Sequence, residues 1–84
     1  MGAMRVHVKL FAILRDRAGV SDLAFDVPEG TTVAGVMDRV CSTCPNLAAM
    51  RDRVAFAVNL DYVKGDHRIS DGDEVALIPP VSGG

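Results

Sequence analysis

The sequence predicts an α+β fold in which one main helix covers a mixed sheet of four or five strands. Runs of alternating apolar and polar residues, which are typical of half-buried strands, stand on both sides of a single apolar stripe with helical spacing. Two such runs precede the stripe and the others follow it. The chain has 84 residues, 49% of them hydrophobic and 24% charged. This composition suits one globular domain and excludes a disordered chain.

Two strands are predicted before the helix. Residues 4–11 alternate between apolar and mostly basic side chains and predict the first strand. Residues 12–17 predict a short helical turn that is closed by Gly19. Residues 22–27 alternate again up to Pro28, and the closeness of the two runs favours an antiparallel pair. Residues 1–3 are interpreted as an expression remnant before a natural start at Met4.

The main helix is expected to begin after Thr32, whose side chain is a good N-cap. Val33, Val36, Met37 and Val40 form one apolar stripe, and Pro45 ends the helix. Residues 46–53 are a connection with a helical turn near 47–50. Strands are predicted at 54–58, 62–63 and 74–78, the last one after a turn at 71–73.

The predicted order of strand, strand, helix and then the remaining strands resembles the ubiquitin-like β-grasp. We therefore expect one β-grasp domain over residues 4–78 and a flexible tail, residues 79–84, that ends in Gly-Gly.

Charge and hydropathy exclude several classes of function. The net charge is −2, from 9 basic and 11 acidic residues that are interspersed, which does not favour binding to nucleic acid. The sequence contains no run of about 18–20 apolar residues, so we expect no association with membranes. Two closely spaced cysteines do not make an extracellular disulfide framework, and we expect a cytoplasmic protein.

Cys41 and Cys44 form a C-x-x-C pair, which can bind zinc or act in redox chemistry. A structural zinc site takes four ligands, and the sequence offers no second pair. Both cysteines continue the helical stripe, so we expect free thiols packed against the core and no metal site. His7 and His67 are expected to be solvated.

The tail has the sequence Pro79-Pro80-Val81-Ser82-Gly83-Gly84. Simple disorder is one interpretation, because chain termini fray unless they are tied down. The functional interpretation is a stiff stalk with a narrow tip, since proline fixes φ and glycine allows close approach of the backbone. The reactive atom would then be the carboxyl carbon of Gly84. A carboxylate is a poor acyl donor at neutral pH, so a partner would have to activate it.

Several segments together resemble the small subunit of molybdopterin synthase, the MoaD family. They are Phe11-Ala12-Ile13-Leu14-Arg15, Thr32-Val33, Val58-Asn59, Asp71-Gly72-Asp73-Glu74-Val75-Ala76 and the tail motif. The resemblance covers nearly all of residues 4–84, and the tail motif is its most specific part.

The resemblance implies a sulfur carrier rather than an enzyme acting alone. An E1-like enzyme would use ATP to adenylate Gly84, leaving AMP there transiently, and a sulfur donor enzyme would convert the acyl-adenylate to a thiocarboxylate. The tail would then enter the large subunit of molybdopterin synthase and pass its sulfur to a precursor pterin. Gly83 would be the conformational partner of Gly84. No permanently bound cofactor is expected.

A partner-binding surface is predicted near the base of the tail. Val75 and Leu77 should point into the core, so that Ala76 and Ile78 point outward, and Phe11 interrupts the polar face of the first strand. Exposed apolar groups that lie together mark partner surfaces. The predicted partner-binding residues are Phe11, Arg15, Ala76, Ile78, Pro79, Pro80 and Val81.

Three other functions share parts of this pattern. A thiamine-pathway (ThiS-like) or cysteine-pathway sulfur carrier has the same tail chemistry, but the Pro-Pro before the glycine pair is not expected there. A ubiquitin-like protein modifier that forms isopeptide bonds would also end in Gly-Gly. A plain interaction domain would need no free tip.

Overall fold

The computed structural model describes residues 2–80, which form a five-stranded sheet covered by helices. The strands are β1 (Ala3–Leu10), β2 (Asp22–Pro28), β3 (Ala55–Val58), β4 (Asp61–Val63) and β5 (Glu74–Ile78). The helices are α1 (Ala12–Ala18) and α2 (Val33–Thr43), and a 3-10 segment spans Pro45–Arg53.

The strands lie in the order β2-β1-β5-β3-β4. β1 and β5 are parallel neighbours at the centre, while the β1/β2, β3/β5 and β3/β4 pairs are antiparallel. Parallel strands need a long crossover because no tight turn can join them. The connection between β1 and β5 includes α2. The sheet is therefore mixed, and the predicted α+β class is confirmed.

One face of the sheet packs under the helices, and we call it the inner face. β1 alternates strictly between exposed and buried residues, as its sequence predicts. Val75 and Leu77 of β5 are fully buried beside them, and Leu14 of α1 and Leu47 of the 3-10 segment join the same core. α2 contributes its whole apolar stripe, namely Val33, Val36, Met37 and Val40.

The start of α2 is capped from two directions. The Thr32 hydroxyl oxygen accepts a hydrogen bond from the Gly35 amide at 3.2 Å, which confirms the predicted N-cap. The amides of Val33 and Ala34 donate to carbonyl oxygens in the 65–67 loop, each at 2.9 Å. The first turn of the helix is therefore satisfied within the fold.

Several element boundaries differ from the sequence-based expectation, and three of the differences concern β1 and the connection before β3. β1 begins at Ala3, which pairs with Pro28, so this residue of the expected remnant belongs to the sheet. β1 ends at Leu10 rather than at Phe11, because Ala12 takes φ 51° and turns the chain into α1. The connection before β3 is a nine-residue 3-10 segment rather than one helical turn, and its Leu47 is buried in the core.

The β3–β4 hairpin has a two-residue turn of type I′, since Asn59 and Leu60 both have positive φ, 50° and 77°. The Asn59 side chain fastens this turn to the start of β5. Its Nδ2 donates to Asp73 Oδ1 at 2.9 Å, and its Oδ1 accepts from the Glu74 amide at 3.1 Å. We call these two hydrogen bonds the Asn59 latch. The latch fixes the hairpin relative to β5.

Candidate functional site

The face of the sheet opposite the helices, the outer face, divides into a polar half and an apolar half. β1 and β2 supply the polar half, with Arg5, His7 and Lys9 paired against Asp26, Ala24 and Asp22. β5, β3 and β4 supply the apolar half, where Ala76 pairs with Ala57 and Ile78 pairs with Ala55. The division follows from the strand order, because β5 stands between the basic strand β1 and the alanine-rich strand β3.

Ion pairs hold the polar half together. Arg5 Nη1 lies 3.0 Å from Asp26 Oδ1, and Lys9 Nζ lies 3.3 Å from Asp22 Oδ1 and 3.7 Å from Glu74 Oε2. A hydrogen bond from the Ser21 hydroxyl, and then the nearby Lys9 ammonium, lower the pKa of Asp22 below its ordinary value. Arg5 and Lys9 are thus both paired with carboxylates and are not free cations for a partner.

The apolar half contains the predicted contact residues Ala76 and Ile78, both half-buried. Their neighbour Ala57 is only 6% exposed, although it lies on the outer face. Ala57 also pairs with Tyr62 of the neighbouring strand β4, and Tyr62 is 74% exposed. Such a large exposed aromatic next to a row of small apolar residues is typical of a partner contact.

Phe11 adds an aromatic side chain at the end of this face. It is the N-cap of α1 with extended dihedrals, φ −123° and ψ 152°, so the alternation of β1 continues and places it on the side of Lys9. Leu10 pairs with Leu77, so Phe11 follows β1 at the level where Ile78 follows Leu77 in β5. Its side chain is 44% exposed, as predicted. We call Phe11, Ala55, Ala57, Tyr62, Ala76 and Ile78 the outer apolar surface.

The tail leaves the fold at this same edge. Because β1 and β5 are parallel, their carboxyl ends meet, and α1 begins where β5 finishes. Arg15 is exposed in the last turn of α1, with its Nε 3.9 Å from Asp16 Oδ1. Pro79 is half-buried and Pro80 is exposed. The other predicted tail residues, Val81, Gly83 and Gly84, lie outside the described residues.

Cys41 and Cys44 are free thiols, half-buried against the core at the end of α2. Burial, and then the neighbouring Cys44, raise the pKa of the Cys41 thiol, so it stays protonated at neutral pH. Core packing is thus confirmed, with both side chains at the edge of the core. In the described part of the chain, no group of three or more His, Cys, Asp or Glu side chains could hold a metal ion.

Sequence reasoning missed Tyr62 and Leu60. The sequence places Tyr62 in a short strand but does not indicate which face of the sheet its side chain lies on. Its exposure depends on the pairing with Ala57 at the sheet edge. Leu60 is 92% exposed at the hairpin tip. The asparagine in Val58-Asn59-Leu60-Asp61 was the available signal, because asparagine favours the first central position of a type I′ turn.

Among residues 2–80, no helix has the length and apolar content needed to cross a membrane. The two histidines considered in the sequence, His7 and His67, are both exposed, as expected of solvated side chains.

The ThiS family model matches residues 8–84, which is most of the chain. The chain belongs to the ThiS family. This ThiS-family chain is 35% identical over 82 residues to the molybdopterin synthase sulfur carrier subunit of Arabidopsis thaliana, covering 98% of this chain and 85% of the relative. The resemblance found in the sequence is therefore confirmed.

Solved structures give the same fold. The small archaeal modifier protein 1 of Haloferax volcanii superposes with a TM-score of 0.86 at 29% identity, covering 93% of this ThiS-family chain and 99% of that chain. A ubiquitin of Caldiarchaeum subterraneum superposes with a TM-score of 0.67 at 22% identity, covering 99% of this chain and 100% of that chain. A chain from the complex of subunits 1 and 2 of the molybdopterin-converting factor of Helicobacter pylori superposes with a TM-score of 0.68 at 21% identity, covering 96% of this chain and 100% of that chain. The last two show the fold alone, and the predicted ubiquitin-like β-grasp is confirmed.

Proposed function

We propose that this chain is the sulfur carrier subunit of a molybdopterin synthase, with Gly84 as the residue that bears the sulfur. Family membership and the similarity to curated sulfur carrier subunits support the pathway. The observation that carries the proposal is geometric. β5 places Ala76 and Ile78 on the outer apolar surface and leads directly into residues 79–84. A partner that covers this surface would therefore receive the tail.

The proposed chemistry takes place on the Gly84 carboxyl group. A carboxylate oxygen attacks ATP in an E1-like enzyme, pyrophosphate leaves, and an acyl-adenylate forms. Hydrosulfide supplied by a sulfur donor enzyme then attacks the acyl carbon, AMP leaves with the electron pair of the broken C–O bond, and a thiocarboxylate remains. Activation is needed because a carboxylate is anionic at neutral pH and a poor acyl donor. AMP is thus a transient group, and no cofactor stays bound.

The contribution of this chain to sulfur transfer is positioning. The outer apolar surface would dock on the large subunit of the synthase, with Phe11 as an aromatic anchor. Arg15 would lie at the rim of the contact, on the exposed side of α1. Pro79 and Pro80 would stiffen the stalk, and Val81, Gly83 and Gly84 would reach the large subunit's precursor pterin. Misplacement of a reacting atom by about 1 Å can cost about 10²-fold in rate, which is why a fixed docking surface matters.

The cytoplasm is the proposed location. Adenylation consumes ATP, and the free thiols of Cys41 and Cys44 fit a reducing compartment.

A protein modifier is the second candidate. The superposition on the small archaeal modifier protein 1 of Haloferax volcanii favours it, because a protein named as a modifier has the same fold as this chain. A ThiS-like carrier of another pathway would use the same thiocarboxylate with a different acceptor.

Intact-mass spectrometry of the protein isolated from its own host separates these functions. A carrier should show a species in which one carboxyl oxygen is replaced by sulfur, and fragmentation should place the change on Gly84. A modifier should appear as conjugates on lysines of other proteins. Conjugates without any sulfur-containing species would overturn the carrier function.

A further inference from the structure

Leu60 occupies a position that the fold alone does not explain. It is 92% exposed, the highest value among the large apolar side chains of residues 2–80, and its φ of 77° is left-handed. Left-handed dihedrals are unfavourable for a residue with a Cβ, and the second central position of a type I′ turn favours glycine. Leucine therefore strains the turn and buries nothing within these residues.

The turn that bears Leu60 is held firmly. The Asn59 latch joins it to Asp73 and Glu74, and the Asn59 amide also donates to the Glu74 carbonyl oxygen at 2.9 Å. The second carboxylate oxygen of Asp73 accepts from the Ser70 amide at 2.8 Å. These hydrogen bonds fix the backbone next to Leu60, which lowers the entropy cost of ordering the turn on binding.

Leu60 is continuous with the outer apolar surface. Tyr62 stands two residues further along the hairpin and pairs with Ala57 of that surface. Leu60 is five residues beyond Ala55, the partner of Ile78, and at about 3.3 Å per strand residue the separation is roughly 16 Å. An interface of about 800 Å² per partner is wide enough to include both ends.

The surroundings of Leu60 are acidic. Asp61 follows it at the tip of the hairpin, in register with the inner-face residue Val58, and Asp73 lies against Asn59. Neither carboxylate belongs to an ion pair within the described residues. A partner surface that fits here would combine an apolar pocket with basic side chains at its rim.

We propose that Leu60 is a preformed anchor at the far end of the docking surface. It would enter an apolar pocket with a basic rim on the same protein that receives the tail. This inference rests on the proposed function, since it takes that protein to be the large subunit of molybdopterin synthase.

The test compares Leu60→Gly with Leu60→Met by calorimetric titration into the large subunit from the same organism, alongside thermal unfolding. Glycine should raise Tm by a few degrees, because it relieves the left-handed strain, and should weaken affinity about tenfold. Methionine keeps an apolar side chain, so its affinity should stay within about threefold of the original. Asp61→Asn should weaken binding at low salt and lose that effect at high salt.

Unchanged affinity of Leu60→Gly would overturn the anchor, and unchanged affinity of Asp61→Asn at low salt would overturn the basic rim. Ile78→Asp serves as the parallel variant. If Ile78→Asp weakens binding and Leu60→Gly does not, the anchor is wrong and the proposed docking surface stands. If the unaltered chain does not bind the large subunit, the proposed function and the anchor are both wrong.

Discussion

Replacing Asn59 with alanine should destabilise the fold more than its exposed position suggests. Asn59 is exposed at the tip of the β3–β4 hairpin, where an alanine substitution ordinarily changes stability by less than about 0.5 kcal/mol. Here the side chain makes both hydrogen bonds of the latch, and its φ of 50° is one that asparagine tolerates better than alanine.

The expected loss is the sum of two effects. Each of the two hydrogen bonds contributes about 0.5–1.5 kcal/mol, and the left-handed conformation costs alanine about 1 kcal/mol. Asn59→Ala should therefore lower the free energy of unfolding by about 2–4 kcal/mol. For a domain of this size that corresponds to a fall in Tm of roughly 8–30 °C.

Chemical denaturation followed by circular dichroism measures this loss, with Asn59→Gly as the matched control. Glycine also removes the latch but accepts positive φ, so it should lose about 1 kcal/mol less than alanine. If Asn59→Ala lies within about 0.5 kcal/mol of the original protein, the latch does not hold the hairpin. Equal losses for alanine and glycine would show that the left-handed conformation at Asn59 does not contribute to the loss of stability.

Three further predictions concern the candidate site and its surroundings. Ile78→Asp should weaken binding to the large subunit by more than about 1 kcal/mol with the fold intact. Ala49→Asp makes an equal charge change on the 3-10 segment and should not weaken binding. Equal effects of the two variants would show that the outer apolar surface is not the docking surface. Cys41 should alkylate slowly at pH 7 and faster as pH rises, because its pKa is raised, and the purified protein should hold no stoichiometric zinc. Asp22 supplies stability above its ordinary pKa, and this stability is lost as the pH falls through the lowered pKa of the folded protein. Lys9→Met should raise the pKa of Asp22 toward its ordinary value in an NMR titration, so the loss of stability should begin at a higher pH.

Periodicity was enough to predict most elements of the fold. The alternation in β1 and β2 and the stripe on α2 are local patterns that a single burial direction imposes on the sequence. The ends of elements were harder, because they depend on single dihedral angles. The φ of 51° at Ala12 ends β1 before Phe11, and it could not be predicted because no glycine or asparagine stands at that position.

The candidate site could be predicted only in part for a different reason. The outward direction of Ala76 and Ile78 follows from the alternation of β5 and was predicted correctly. The burial of Ala57 and the exposed place of Tyr62 follow from the order of the strands in the sheet. That order is set by long-range pairing, which no local pattern contains.

Reconstituted sulfuration of precursor pterin tests the central claim most directly. The comparison uses the unaltered chain, a chain with one residue appended after Gly84, a Gly84 deletion and Gly83→Val. Each altered chain should keep its stability and its binding through the outer apolar surface, and each should lose sulfur donation. The appended residue moves the carboxyl carbon, the deletion leaves it about 3.5 Å short, and valine adds bulk and restricts φ. If the extended chain, shown by mass to keep its extra residue, donates sulfur at the normal rate, Gly84 is not the sulfur-bearing residue.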